Sequence, residues 1–210
     1  MNPKKSVKGQ AAVEFALVLP FLLLLIIGIA EMGYVFYDYI VLAASNREGV
    51  RLGSRGQFSE LSMIERIVAT GGVQTVEDVT EPVLRTSGAN PNFGVLITTI
   101  AISPTGELSI GTPVITGVVA TADEGLRPLT PEDTRINPAE YATKGDLTAK
   151  INTLRTTDDF ETLRNDIVIV ETFYAHDVLF PPLAQLVNLS DPFPLYFKSS
   201  MRVLRANRLD

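Results

Sequence analysis

The sequence has no cysteine and a single histidine, and both shortages restrict its chemistry. Without cysteine there is no disulfide, no thiolate zinc site and no cysteine nucleophile. His176 stands alone, so a zinc site with two histidine ligands is impossible, and we expect a packed or surface histidine rather than a catalytic one. No glycine-rich phosphate loop follows a predicted strand. The composition therefore predicts a protein that is not an enzyme and that needs no cofactor or metal.

Positive charge is scarce outside the first nine residues. The formal net charge is −6 even though Lys4, Lys5 and Lys8 form a short basic segment without any acid, so the rest of the chain is more acidic still. An acidic body repels phosphate backbones. We therefore expect no nucleic-acid partner, and no motif indicates a small-molecule substrate.

Charge is also missing from a long apolar segment near the N-terminus. Residues 10–30 contain one charged residue, Glu14. As a helix they extend about 31 Å, which is enough to cross the hydrocarbon core of a bilayer. Because cationic residues beside such a helix stay in the cytoplasm, the lysines predict a cytoplasmic N-terminus and an exterior location for the residues beyond 31.

Helical periodicity continues beyond the apolar segment. Apolar residues recur at helical spacing, and Gly53 with Gly56 predicts the end of the helix. We interpret residues 31–56 as an amphipathic stem that continues the membrane helix. An ordinary secretory signal peptide is the competing interpretation, because Gly28-Ile29-Ala30 is a small-x-small pattern, but the apolar segment is longer than such signals. The apolar stem positions are Met32, Val35, Phe36, Tyr39, Ile40 and Ala43.

The remainder, residues 57–210, has the pattern of an α+β domain. Apolar spacing predicts a short packed helix over Phe58–Thr70, closed by Gly71-Gly72, and a second helix near Lys144–Leu163. Runs of β-branched residues between turn signals predict antiparallel strands. Pro113 and Gly117 in the second run indicate an edge strand, a bulge or a break into two strands. The predicted strands are Val95–Ile102, Glu107–Ala120 and Asp166–Leu179.

A glutamate inside an apolar helix requires an explanation, since a carboxylate there costs a few kcal/mol. A basic segment ending in Gly9 precedes Gln10 to Phe15, an arrangement that resembles the prepilin processing signal. In that signal a membrane peptidase cuts after the glycine, which makes Gln10 the mature N-terminus. The new α-ammonium could then pair with Glu14 of a neighbouring subunit in a low-dielectric helix bundle.

Residues 9–56 as a whole resemble the TadE/TadG-like pseudopilins of tight-adherence (Flp, type IVc) pilus systems. The resemblance assigns Gly9 to the cleavage position and Glu14 with Phe15 to the processing and assembly signature. It assigns a further signature to the stem. Alternating residues near the C-terminus, Ile167 to Tyr174 and Ser200 to Val203, are similar to closing strands of that family. The stem signature consists of Arg47, Glu48, Gly49 and Arg51.

The resemblance implies a minor pilin or pseudopilin with a basic leader (1–9), a membrane helix (10–30), a stem (31–56) and an exterior domain (57–210). The implied partners are a prepilin peptidase, other pilins or pseudopilins, and the inner-membrane Tad platform proteins. The implied location is the bacterial cytoplasmic membrane or the pilus, with a role in pilus assembly, secretion or adhesion. The alternative is a single-pass membrane protein whose exterior domain binds a partner without polymerising. An exported hydrolase is a third hypothesis, for which the sequence offers no nucleophile–base pair.

Overall fold

The first element of the protein is one long helix. The computed structural model describes residues 7–56, 59–76, 78–121, 125–155, 166–186 and 188–203. Helix α1 spans Val7–Gly53 without interruption and contains Pro20. At 1.5 Å per residue it is roughly 70 Å long, about twice the thickness of a bilayer core. The predicted continuous helix is present, and it ends at the predicted Gly53.

Two long strands form the centre of the domain. β3 (Phe93–Ile102) and β7 (Ile167–His176) are antiparallel neighbours, and both are buried along most of their length. The other strands are β1 (Val73–Val76), β2 (Val79–Pro82), β4 (Leu108–Ile110), β5 (Val114–Thr121), β6 (Gly125–Pro128) and β8 (Phe193–Arg202). The order in the main sheet is β6-β5-β3-β7-β8, with β4 paired to β3, while β1 and β2 form a separate hairpin.

Within the described residues, three further α-helices and a 3-10 helix (Pro131–Asp133) follow the long helix. α2 (Glu60–Thr70) begins at Ser59, whose hydroxyl accepts a hydrogen bond from the Ser62 amide, and it ends at Gly71. Such an N-cap satisfies one of the free N–H groups of a first helical turn. α3 spans Ala139–Arg155 and α4 spans Pro181–Leu186.

The sheet is covered on both faces. On one face Leu42 and Val50 of α1 join Met63 and Ile67 of α2 in a core with strand residues such as Val170. On the other face, Tyr141 of α3 packs against isoleucines of β3 and β7, and Leu129 packs against Phe173. Because both faces are covered, the central strands have nearly continuous apolar sequences instead of a strict alternation.

The predicted α+β class is confirmed, with a long apolar helix followed by an antiparallel sheet domain and short helices. Several element ends differ from the prediction. The run Glu107–Ala120 is divided into β4 and β5 around Pro113, which cannot donate to a ladder, and this break into two strands is one of the three predicted alternatives. The strand predicted to reach Leu179 ends at His176, and the helix predicted from Lys144 begins at Ala139. Phe58 and residues 156–163 lie outside the described residues.

Candidate functional site

The residues of the predicted processing signal lie on exposed turns of α1. Gly9, Gln10, Glu14 and Phe15 are all exposed, and the Gln10 Nε2 donates to Glu14 Oε1 at 3.0 Å. No residue from 9 to 41 is buried by the rest of the described chain. By length and composition α1 is suited to cross a membrane. The large apolar side chains between residues 13 and 26 are therefore exposed, without cover from the described part of the chain.

The second half of α1 docks on the sheet, and Asn46 is the polar centre of this contact. The side chain is fully buried, and its Nδ2 lies 3.0 Å from the Val170 carbonyl and 3.1 Å from Thr172 Oγ1. It also lies 3.3 Å from the Phe197 carbonyl, while the Ser199 hydroxyl donates to Asn46 Oδ1. One amide thus connects α1 to both β7 and β8. Sequence reasoning missed this residue because its partners are more than a hundred positions away.

The predicted stem signature surrounds this anchor. The Arg47 guanidinium lies 5.7 Å from the centroid of the Phe197 ring. Glu48 accepts two hydrogen bonds from Arg51, at 2.7 and 2.8 Å, and a third at 3.1 Å from Arg66 of α2. Arg51, aided by Arg66, lowers the pKa of Glu48 to about 2. The signature residues therefore contact the domain or organise the α1–α2 contact.

Gly49 allows α1 and α2 to approach closely. A Cβ at this position would lie 2.4 Å from Cγ1 and 2.5 Å from Cδ1 of Ile67, a fully buried side chain. A Cβ at Gly53 would likewise lie 2.6 Å from the Cε of Met63. The spacing of these glycines, one turn apart, places both on the face that meets α2.

Gly49→Ala is expected to lower the free energy of unfolding by about 1–3 kcal/mol, because the added methyl overpacks the core at Ile67. Gly33→Ala is the matched control, since a Cβ there meets no atom within 4 Å. Denaturant unfolding of the full chain in detergent measures the free energy of unfolding of both variants. Adding Ile67→Ala to Gly49→Ala should cost less than Ile67→Ala alone. Equal effects of Gly49→Ala and Gly33→Ala would contradict the close-packing role.

A second polar cluster joins α1 to the end of β7. The buried His176 places Nδ1 2.6 Å from Asp38 Oδ2 and Nε2 3.1 Å from Glu31 Oε1. Ionised carboxylates only accept hydrogen bonds, so this geometry favours the protonated imidazole, in which both ring nitrogens donate. Asp38 and then Glu31 raise the pKa of His176, although burial opposes this. Burial and the Asp38 charge likewise raise the pKa of the neighbouring Tyr174 hydroxyl.

This cluster predicts that stability declines as the pH rises. A histidine with a raised pKa contributes fully below its unfolded pKa of about 6.5, and the contribution is lost as the pH passes the folded value. We expect His176→Gln to lower the free energy of unfolding by about 3 kcal/mol near pH 6, because Asp38 and Glu31 then lose the cation that contacts both carboxylates. The difference from wild type should shrink above about pH 6.5. Denaturant unfolding of the wild type and of His176→Gln at several pH values measures this difference in the free energy of unfolding. A difference that does not change with pH would contradict the ion-pair role.

A third buried group, Glu171, fixes a loop to the opposite face of the sheet. Its carboxylate accepts hydrogen bonds from Thr134 Oγ1 at 2.6 Å, from the Arg135 amide at 2.7 Å and from the Tyr196 hydroxyl at 2.7 Å. These three donors satisfy the buried carboxylate. Within the described ranges, no group of three or more histidine or acidic residues is arranged to hold a metal ion.

Fold and junction together define a class of protein. It has one N-terminal helix able to span a membrane, and an α+β domain held by polar anchors on the C-terminal half of that helix. Residues 9–51 match the family model described as TadE-like protein. The predicted resemblance is therefore confirmed over the segment that forms α1. No curated protein and no solved structure matches the chain.

Proposed function

We propose that this protein is a minor pilin or pseudopilin of a Tad (Flp) pilus system. In this proposal α1 anchors the chain in the cytoplasmic membrane with its N-terminus in the cytoplasm, and the domain lies outside. The observation that carries the proposal is that the TadE-like match, residues 9–51, covers nearly the whole of α1. The partners are a prepilin peptidase, other pilins or pseudopilins, and the platform proteins of the same system.

The uncovered half of α1 supports assembly through helix packing. Its large apolar side chains are exposed from residue 13 to residue 26, while small residues at Ala11, Ala12 and Ala16 permit close approach of another helix. In lipid, helices associate through such close packing and through polar contacts. The same helix can therefore lie in the bilayer before assembly and against other subunits afterwards.

Glu14 supplies the polar contact. Before processing, its carboxylate accepts a hydrogen bond from the Gln10 side chain one turn earlier. Cleavage after Gly9 would convert Gln10 into the N-terminal residue and give it an α-ammonium. That cation and the Glu14 carboxylate of a neighbour would neutralise each other in a low-dielectric bundle, where an unpaired charge is costly.

The docked half of α1 supports a rigid connection between anchor and domain. Asn46 binds the helix to β7 and β8, and Glu48 binds it to α2. Closer to the N-terminus, Asp38 binds it to His176 at the end of β7. A force or displacement applied to the membrane helix would thus move the whole domain. This arrangement suits a subunit that primes, anchors or decorates a fibre.

The cleavage step is tested by Gly9→Leu. We expect this variant to retain its nine-residue leader when expressed with the prepilin peptidase of its own system, since a large side chain then replaces the glycine at the proposed cleavage position. Gly28→Ala is the control, because it lies in the same exposed helix and a Cβ there meets no atom within 4 Å. Intact mass spectrometry of the membrane fraction reads the result. Normal processing of Gly9→Leu would remove Gly9 as the cleavage position, whereas a wild-type chain that keeps its leader under the same conditions would favour an anchored, non-polymerising protein.

A further inference from the structure

Leu179, near the start of the segment 178–189, lies at the height where the apolar part of α1 ends. The Leu179 amide donates to Glu31 Oε2 at 3.1 Å, and the preceding His176 ring contacts the same carboxylate. Glu31 is the first charged residue after the apolar segment 15–30. If α1 spans the bilayer as proposed, these contacts place Leu179 at the boundary between hydrocarbon and headgroups.

This segment is apolar on its outer side. No residue between Asp177 and Asp191 is charged. Leucine and phenylalanine side chains are exposed on both sides of α4, while Ala184 faces the domain and is buried. The exposed fractions are 55% for Leu179, 38% for Phe180, 70% for Leu186 and 48% for Leu189. A concentration of exposed apolar residues marks an interaction surface, whereas single exposed residues are ordinary.

The backbone of the segment is also suited to a medium poor in water. Pro181 and Pro182 occupy the first turn of α4 and remove two of the N–H groups that a helix start leaves free. At the other end, the Leu189 amide donates to the Ala184 carbonyl at 2.8 Å and the Asn188 amide donates to the Gln185 carbonyl at 3.3 Å. Internal satisfaction of backbone polar groups is what a lipid environment demands.

The neighbouring turns of α1 carry side chains that prefer the same depth. Tyr34, Phe36 and Tyr37 are exposed within two turns of Glu31. Tyrosine favours the interface between membrane and water because its ring is apolar and its hydroxyl is polar. The aromatic residues of α1 and the segment 178–189 thus lie in one narrow layer at the end of the membrane helix.

We propose that segment 178–189 is a second membrane contact, which inserts the side chains of Leu179, Phe180, Leu186 and Leu189 into the outer interface of the bilayer. This inference rests on the proposed membrane anchoring by α1. The contact holds the domain in one orientation, because the helix and the segment touch the membrane at two points joined through Glu31 and His176. The proposed partner of this surface is lipid, because the segment contacts α1 at the end of the membrane helix and carries no charge.

The test uses single tryptophans, which report cleanly because the chain has none of its own. Leu186→Trp is the probe, and Phe21→Trp reports on the membrane helix. Leu61→Trp is the matched control, since Leu61 is as exposed as Leu186. Leu61 lies two residues before Met63, whose side chain meets Gly53. Gly53 lies roughly 33 Å further along α1 than Glu31. The full chain is placed in phosphatidylethanolamine and phosphatidylglycerol vesicles with and without bromine on the acyl chains.

We expect brominated lipid to reduce the emission of Phe21→Trp and Leu186→Trp, with a blue-shifted maximum for both, and to leave Leu61→Trp unchanged. Quenching of Phe21→Trp alone would overturn the second contact while leaving the anchor in place. Loss of quenching at Phe21→Trp as well would overturn the membrane anchor itself. A blue shift of Leu186→Trp that depends on protein concentration and not on brominated lipid would assign the surface to another protein copy, and so would also overturn the proposal.

Discussion

Glu14→Ala is expected to remove the protein from assembled pili while leaving it in the membrane. The carboxylate opposes insertion into lipid by a few kcal/mol, so its removal keeps or improves anchoring. In the assembly, however, the variant leaves the α-ammonium of a neighbouring Gln10 without its anionic partner. A deficit of about 1.4 kcal/mol at each contact reduces incorporation roughly tenfold.

The Glu14 experiment compares the amount of protein in sheared pilus and membrane fractions. Glu14→Gln is the informative second variant, because it keeps size and hydrogen bonding but loses charge, and we expect it to fail like Glu14→Ala. Glu132→Ala is the control, since it removes an exposed acid from the domain. Normal incorporation of both Glu14 variants would refute the assembly role of the carboxylate.

Asn46→Ala is expected to loosen the whole junction between α1 and the sheet. The change removes an amide that contacts Val170, Thr172, Phe197 and Ser199, so each of these groups loses one buried hydrogen-bond partner, although Thr172 Oγ1 still donates to the Phe197 carbonyl. Each unsatisfied buried group costs about 1–3 kcal/mol, so a loss of about 3 kcal/mol in the free energy of unfolding is expected. Such a loss is a large fraction of the stability of a domain.

The adjacent Ser45 provides a matched control for Asn46. It is equally buried, but its hydroxyl has no hydrogen-bond partner among the described residues. Ser45→Ala should therefore change stability by no more than about 0.5 kcal/mol or increase it slightly. Denaturant unfolding of the full chain in detergent compares the two. Similar effects of both substitutions would show that burial, and not the hydrogen bonds of Asn46, holds the junction.

The sequence allowed α1 to be predicted almost completely, because its apolar run, its stem signature and its final glycine are local signals. The central strands were also predictable, since buried strands have continuous β-branched runs. In contrast, the Asn46 and His176 contacts join residues more than a hundred positions apart. No local pattern in one sequence identifies such pairs. Helix α4 escaped prediction because two prolines indicate a turn as readily as a helix start.

The stem also shows why periodicity alone did not identify the docking face. Of the apolar stem positions, Met32, Phe36, Tyr39 and Ile40 are exposed, while the buried face includes Ser45 and Asn46. The docking face carries polar side chains because it must satisfy strand carbonyls and His176. The exposed apolar residues lie near the membrane end of the stem, where lipid or other subunits can cover them.

The intact mass and N-terminal sequence of the protein isolated from its native membrane test the central claim most directly. We expect a mature chain that begins at Gln10 and retains all of α1 beyond that point. An intact Met1 would contradict prepilin-type processing and indicate an anchored protein that does not polymerise, and a start at Glu31 would indicate a secreted domain instead.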